Sequence, residues 1–181
     1  MISFFQTGAY NTRMFGNMTR EKIDSLFRNF VFGVEDSLVS TVGLLSGVAA
    51  AGEPSKTIIL AGVVLIFVEA FSMGIGSLLS DNSVRELDNK EGIPLSRSLS
   101  GGVTMFVSYF ITGFIPLAPY LFLSRDVAFP TSILASLVAL ALLGIFSARV
   151  AHISVVKKAI QMVVLGGSAI ALGVLVGYVI N

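Results

Sequence analysis

Residues 58–80 read IILAGVVLIFVEAFSMGIGSLLS. A helix that crosses a bilayer needs about 20 mostly apolar residues, and this run meets that length. It carries one charge, Glu69, near its middle. Four further stretches are of the same kind, at residues 30–50, 101–123, 132–150 and 159–180. The pattern predicts an all-α polytopic membrane protein with five transmembrane helices. Short joints with breaker residues separate the spans, at Gly52-Glu53-Pro54, Gly92-Ile93-Pro94 and the Arg125–Pro130 turn. Residues 81–100 form the longest joint, expected as a solvated loop of mixed charge.

Composition supports the same class. Of 181 residues, 54% are hydrophobic and 13% are charged. Soluble domains carry about 25% charged residues, so a soluble fold of this size could not cover its apolar surface. Membrane lipid is therefore an expected partner. The net charge of +1 excludes a strongly basic nucleic-acid binder. No cysteine is present and there is a single histidine, which removes disulfides, thiolate metal sites and multi-histidine sites within one chain. No nucleophile–base pair can be assembled, so neither an enzyme nor a resident cofactor is expected.

Two parts are expected along the chain. Residues 1–28 form a cytosolic N-terminal segment, with a helix starting near Thr19 that lies at the membrane surface. Residues 29–181 form the five-helix transmembrane domain. Ten of the twelve Lys and Arg residues fall in the N-terminal segment and the second and fourth joints; only Lys56 and Arg125 fall on the other side. This bias predicts a cytosolic N-terminus and a C-terminus outside or lumenal.

The low charge count makes three acids inside the spans conspicuous: Glu35, Asp36 and Glu69. An acid near the bilayer centre costs about 2.5–3.5 kcal/mol on insertion scales, and such residues commonly line ion or proton paths. At 1.5 Å per residue, Asp36 sits roughly 9 Å inside span 1, Met73 roughly 10 Å inside span 2, and Glu69 roughly 16 Å. Asp36 and Met73 are thus expected face to face, with Glu69 beneath. Asp36, Ser40, Gly43 and Gly47 share one face of span 1; Gly62, Glu69, Met73, Gly76 and Ser80 share one face of span 2.

Carboxylates bind hard and borderline cations, and a thioether adds preference for softer transition metals. A carboxylate in a low-dielectric setting holds its proton more tightly than in water and releases it when a metal replaces it. Asp36, Glu69 and Met73 are therefore the candidate transport-path and metal residues, with Glu35, Ser40 and Ser72 as accessory candidates.

Three segments resemble the vacuolar iron transporter family. Val31-Phe32-Gly33-Val34-Glu35-Asp36-Ser37-Leu38-Val39-Ser40 is similar to its first-helix signature. Ala70-Phe71-Ser72-Met73-Gly74 is similar to its second-helix A-x-S-M-G segment, and Gly113-Phe114-Ile115-Pro116-Leu117-Ala118-Pro119-Tyr120 to its third-helix segment. The resemblance implies a five-helix homodimer that moves Fe²⁺, often Mn²⁺, out of the cytosol in exchange for protons. It implies a path at the dimer interface that uses Asp36 and Met73.

The chain departs from that pattern in three places. Ser37 replaces a common glycine. The family's second-helix glutamate position is Leu65 here, and Glu69 stands one turn later. The glutamate-rich domain that typical members insert between spans 2 and 3 is reduced to residues 81–100, so the chain resembles the short members. Two other functions stay open from sequence: a proton-coupled exporter of organic cations centred on Glu69, and a non-transporting membrane interaction protein. The expected location is a prokaryotic plasma membrane, with a vacuolar membrane as the alternative.

Overall fold

The computed structural model describes the backbone of residues 3–87 and 95–180, with side chains described at 20, 23–83 and 98–180. The described residues form five helices: α1 (Ser3–Ala50), α2 (Ser55–Leu87), α3 (Leu95–Phe122), α4 (Arg125–Val150) and α5 (Val155–Ile180). Each contains a stretch long and apolar enough to cross a membrane. The chain is therefore an all-α, multi-pass membrane protein.

The helices run longer than the spans read from sequence. α1 begins at Ser3 rather than near Thr19. No proline interrupts residues 3–50, so nothing stops the helix from continuing out of the bilayer. α2 passes Ser80 and continues to Leu87, so much of the expected loop is helix. The Gly92-Ile93-Pro94 breaker lies outside the described residues. α4 starts at Arg125 and takes Pro130 within its early turns. The actual corner is Leu123-Ser124, with Ser124 extended at ψ 151°.

The other corners follow the breakers. Gly52 adopts φ 82°, a left-handed conformation that glycine allows without a Cβ penalty. Beside it, the Glu53 amide donates to Val48 O at 3.4 Å and closes the end of α1. Arg125 Nη1 donates to Gly52 O at 2.6 Å, which ties the α3–α4 corner to the α1–α2 corner. Gly177 of α5 lies against Gly47 and Ala50 at this same end. At the opposite end, Phe27 and Phe30 of α1 pack against Phe146 of α4, tilted and edge-on, with centroids 6.1 and 6.2 Å away. The C-terminal end of α5 and the Phe27 turn of α1 thus lie at opposite ends of the bundle.

α1 is the central helix and touches all four others. Half of its most apolar window is buried, against 17% for α5. Lipid tails are as apolar as leucine, so close backbone approach holds such helices together. α1 and α5 supply it. A Cβ at Gly47 would lie 2.7 Å from the Gly173 carbonyl, and one at Gly173 would collide with the carbonyl of Gly43. The small stripe of span 1 therefore meets the small stripe of α5, not that of span 2. Two apolar clusters flank α1: Leu45, Ile58, Ile66, Leu117, Tyr120 and Ala128 on one side, and Val34, Leu38, Leu140, Leu143 and Met162 on the other. Tyr120 is buried in the first.

Several polar groups within the spans find partners inside the protein, as a hydrocarbon setting favours. Ser136 and Ser147 donate to carbonyls one turn back, at 2.8 and 2.6 Å. Ser132 donates to Pro116 O at 2.6 Å and ties the Pro116–Pro119 segment of α3 to α4.

Candidate functional site: two acids and two cavities

The longer helices reset the depths. The membrane-capable part of α1 starts at Ile23, and that of α2 ends at Ser83. Counted from those ends at 1.5 Å per residue, Asp36 and Glu69 both lie roughly 20 Å inside, and Met73 roughly 15 Å. The side chains agree. Ser37 and Ile66 both lie against the bare face of Gly113, so the Asp36 turn is level with the Glu69 turn. Asp36 is therefore level with Glu69, and Met73 stands one turn closer to the Arg28 end. The expected pairing of Asp36 with Met73 came from treating 30 and 80 as one membrane plane.

Asp36, Glu35 and Glu69 are all half-buried, and Asp36 is within electrostatic reach of both glutamates. Within electrostatic reach of two of these acids stands a residue to which sequence reading assigned no role. Tyr109 of α3 is fully buried, and its hydroxyl shares a 2.7 Å hydrogen bond with Ser40 Oγ. It senses both Asp36 and Glu69. Ser37 Oγ donates to the Tyr109 carbonyl at 2.7 Å and fixes the α1–α3 register here. The available signal was a phenol at mid-span, where a polar tip needs a partner.

Asp36 and Ser40 line a groove of about 650 Å³ between α1 and α5. The groove runs past Gly43 and Gly47 to Glu53, so a carboxylate stands towards each end of a largely apolar wall. Met73 and Ser72 line a different cavity of about 580 Å³, shared with Arg28, Asn29, Ser77, Asp81 and Met105. Glu69 lines neither. The structure thus brings Asp36 and Glu69 to one level, with Ser40 beside them through Tyr109, and sets Met73 and Ser72 in a separate chamber. Among the described residues, no three His, Cys, Asp or Glu side chains gather closely enough to hold a metal ion.

Five helices long and apolar enough to span a membrane, with two acids at one level, define a polytopic membrane protein. The model of the VIT family matches residues 27–93 and 89–178, and the chain belongs to that family, which is one of transporters. The two matched segments meet at residues 89–93, in the joint between α2 and α3. The chain is 24% identical to "Vacuolar iron transporter 1" of Tulipa gesneriana, covering 80% of this chain and 83% of the relative. It is likewise 24% identical to "Vacuolar iron transporter 1" of Oryza sativa subsp. japonica, covering 80% of this chain and 81% of that protein. Both matches extend over 204 positions, more than the 181 residues of this chain, so the relatives hold segments that it lacks.

Proposed function

We propose that this protein exports divalent transition-metal ions, Fe²⁺ and/or Mn²⁺, from the cytosol in exchange for protons. The observation that carries the reading is the level placement of Asp36 and Glu69 on neighbouring spans, within electrostatic reach of each other. Acids within a span are costly and commonly line ion or proton paths. The relatives' names, iron transporters, fit that cargo.

Among the described residues of one chain, no three His, Cys, Asp or Glu side chains gather into a metal site. The reading is therefore of a homodimer whose two-fold axis doubles Asp36, Glu69 and Met73 along one path. Oxygen donors with a nearby thioether suit Fe²⁺ and Mn²⁺ better than Mg²⁺ or Ca²⁺. The cation bias supports a cytosolic Arg28 end.

The test is uptake of Fe²⁺ and Mn²⁺ into proteoliposomes under a pH gradient. Wild type should accumulate metal, and Asp36→Ala should lose that activity. Equal fluxes through the two proteins would contradict the proposal. Proton release driven by organic cations without metal would support the exporter alternative instead.

A further inference from the structure

The Met73 cavity holds a polar cluster that the acids at mid-membrane do not use. Asn29 is 4% exposed, and its Nδ2 has no hydrogen-bond partner. An unpaired buried amide costs roughly 1–3 kcal/mol, so its persistence calls for an explanation. The atoms around it converge on the bare face of Gly101. From the position a Cβ would take there, Asn29 Nδ2 is 2.7 Å away, Asp81 Oδ2 3.1 Å and Ser77 Oγ 3.7 Å. The other oxygen of Asp81 faces Arg28, with Oδ1 to Nη2 at 3.9 Å. Arg28 is largely exposed and Asp81 largely covered, so the guanidinium reaches the carboxylate from the solvent side. The thioethers of Met73 and Met105 line the same chamber.

We propose that Asp81, Asn29 and Ser77 form a cation-recognition site at this end of the bundle, which takes a divalent transition-metal ion in exchange for the Arg28 guanidinium. The identity of the cargo rests on the function proposed above. Asp81 supplies the charge. A half-turn of the Asn29 side-chain amide replaces Nδ2 with the carbonyl Oδ1, a cation ligand, so the same group serves the empty and the filled site. Ser77 adds a hydroxyl oxygen, and the two sulfurs bias the chamber towards softer cations. Arg28 is a tethered competitor. Its bridge is partly exposed and therefore weak, so a divalent ion can displace it. The site precedes Asp36 and Glu69 on a path that starts at the Arg28 end.

The experiment is titration of Mn²⁺ alone into the purified full chain in detergent, read by loss of the free-ion electron paramagnetic resonance signal. Wild type should bind, and Asp81→Asn should weaken that binding by about tenfold or more. Gly101→Ala places a methyl group against Asn29 and should also weaken it. Arg28→Ala should tighten binding about threefold, the worth of an exposed bridge. A gain of affinity cannot come from misfolding. Asp36→Asn should leave this site intact. Unchanged binding in Asp81→Asn, no gain in Arg28→Ala, or no Mn²⁺ bound by wild type would each overturn the proposal. Binding lost in Asp36→Asn but kept in Asp81→Asn would overturn this site and leave the transport reading standing. Binding at Asp81 without any flux through wild type would do the reverse.

Discussion

Asp36 of α1 and Glu69 of α2 occupy one level of the bundle, roughly 20 Å inside the ends of the membrane-capable parts of their helices. The Tyr109 phenol lies within electrostatic reach of both and hydrogen-bonds to Ser40. Two acids at one depth inside a span are costly to keep and commonly mark an ion or proton path. The arrangement stands beside the half-buried Ser40–Tyr109 hydroxyl pair and an open groove lined by Asp36.

The carboxylates should act together. Asp36→Asn and Glu69→Gln are each expected to lower metal flux by about tenfold or more, equivalent to roughly 1.4 kcal/mol. The double variant should lose less than the product of the two, because neighbouring groups couple. Flux through the three variants and wild type in proteoliposomes checks this, and strictly multiplicative losses would refute the coupling.

Tyr109→Phe should act through Ser40. Removing the phenol breaks one hydrogen bond, worth about 1 kcal/mol. Transport should fall severalfold while helix content stays unchanged. Ser40→Ala should give a similar loss, and the double variant no more than either alone. Independent losses would show that the Ser40–Tyr109 bond does not matter.

The α1–α5 crossing should be the most sensitive place for added bulk. Gly173→Ala sets a methyl group against the Gly43 carbonyl and should destabilise by about 1–3 kcal/mol. Gly76→Ala meets nothing within 4 Å and should be neutral or stabilise by roughly 0.5 kcal/mol. Thermal unfolding in detergent compares the two, and equal shifts would contradict the close crossing.

The chain has no cysteine, so single cysteines report orientation without background. His152→Cys, in the exposed α4–α5 turn, should react with an impermeant thiol reagent only from the cytosolic side. Glu53→Cys should react only from the opposite side. The reverse pattern would invert the bundle and contradict export from the cytosol.

Much of this was legible in the sequence. Five spans, the glycine corner at Gly52 and the acids Asp36 and Glu69 follow from hydropathy and from the rarity of charge. Relative depth was not legible, because hydropathy cannot say where a helix stops once it leaves the bilayer. α1 and α2 both overrun their apolar cores, which moved Glu69 level with Asp36 and carried Met73 into another chamber. Partner choice was hidden too. Gly43 and Gly47 could pack on any small stripe, and only the three-dimensional arrangement selects Gly173 and Gly177. Asn29, Ser77 and Asp81 belong to no motif and come together solely through the α1–α2–α3 contact.

The central claim is that metal and proton share the Asp36–Glu69 level and move in opposite directions. The most direct measurement records Mn²⁺ and pH simultaneously inside the same proteoliposomes, with no gradient other than Mn²⁺. Inward Mn²⁺ flux through wild type should drive protons out and raise the internal pH, and Asp36→Ala should abolish both signals together. Mn²⁺ flux with no change in internal pH, or proton movement that ignores Mn²⁺, would contradict the account.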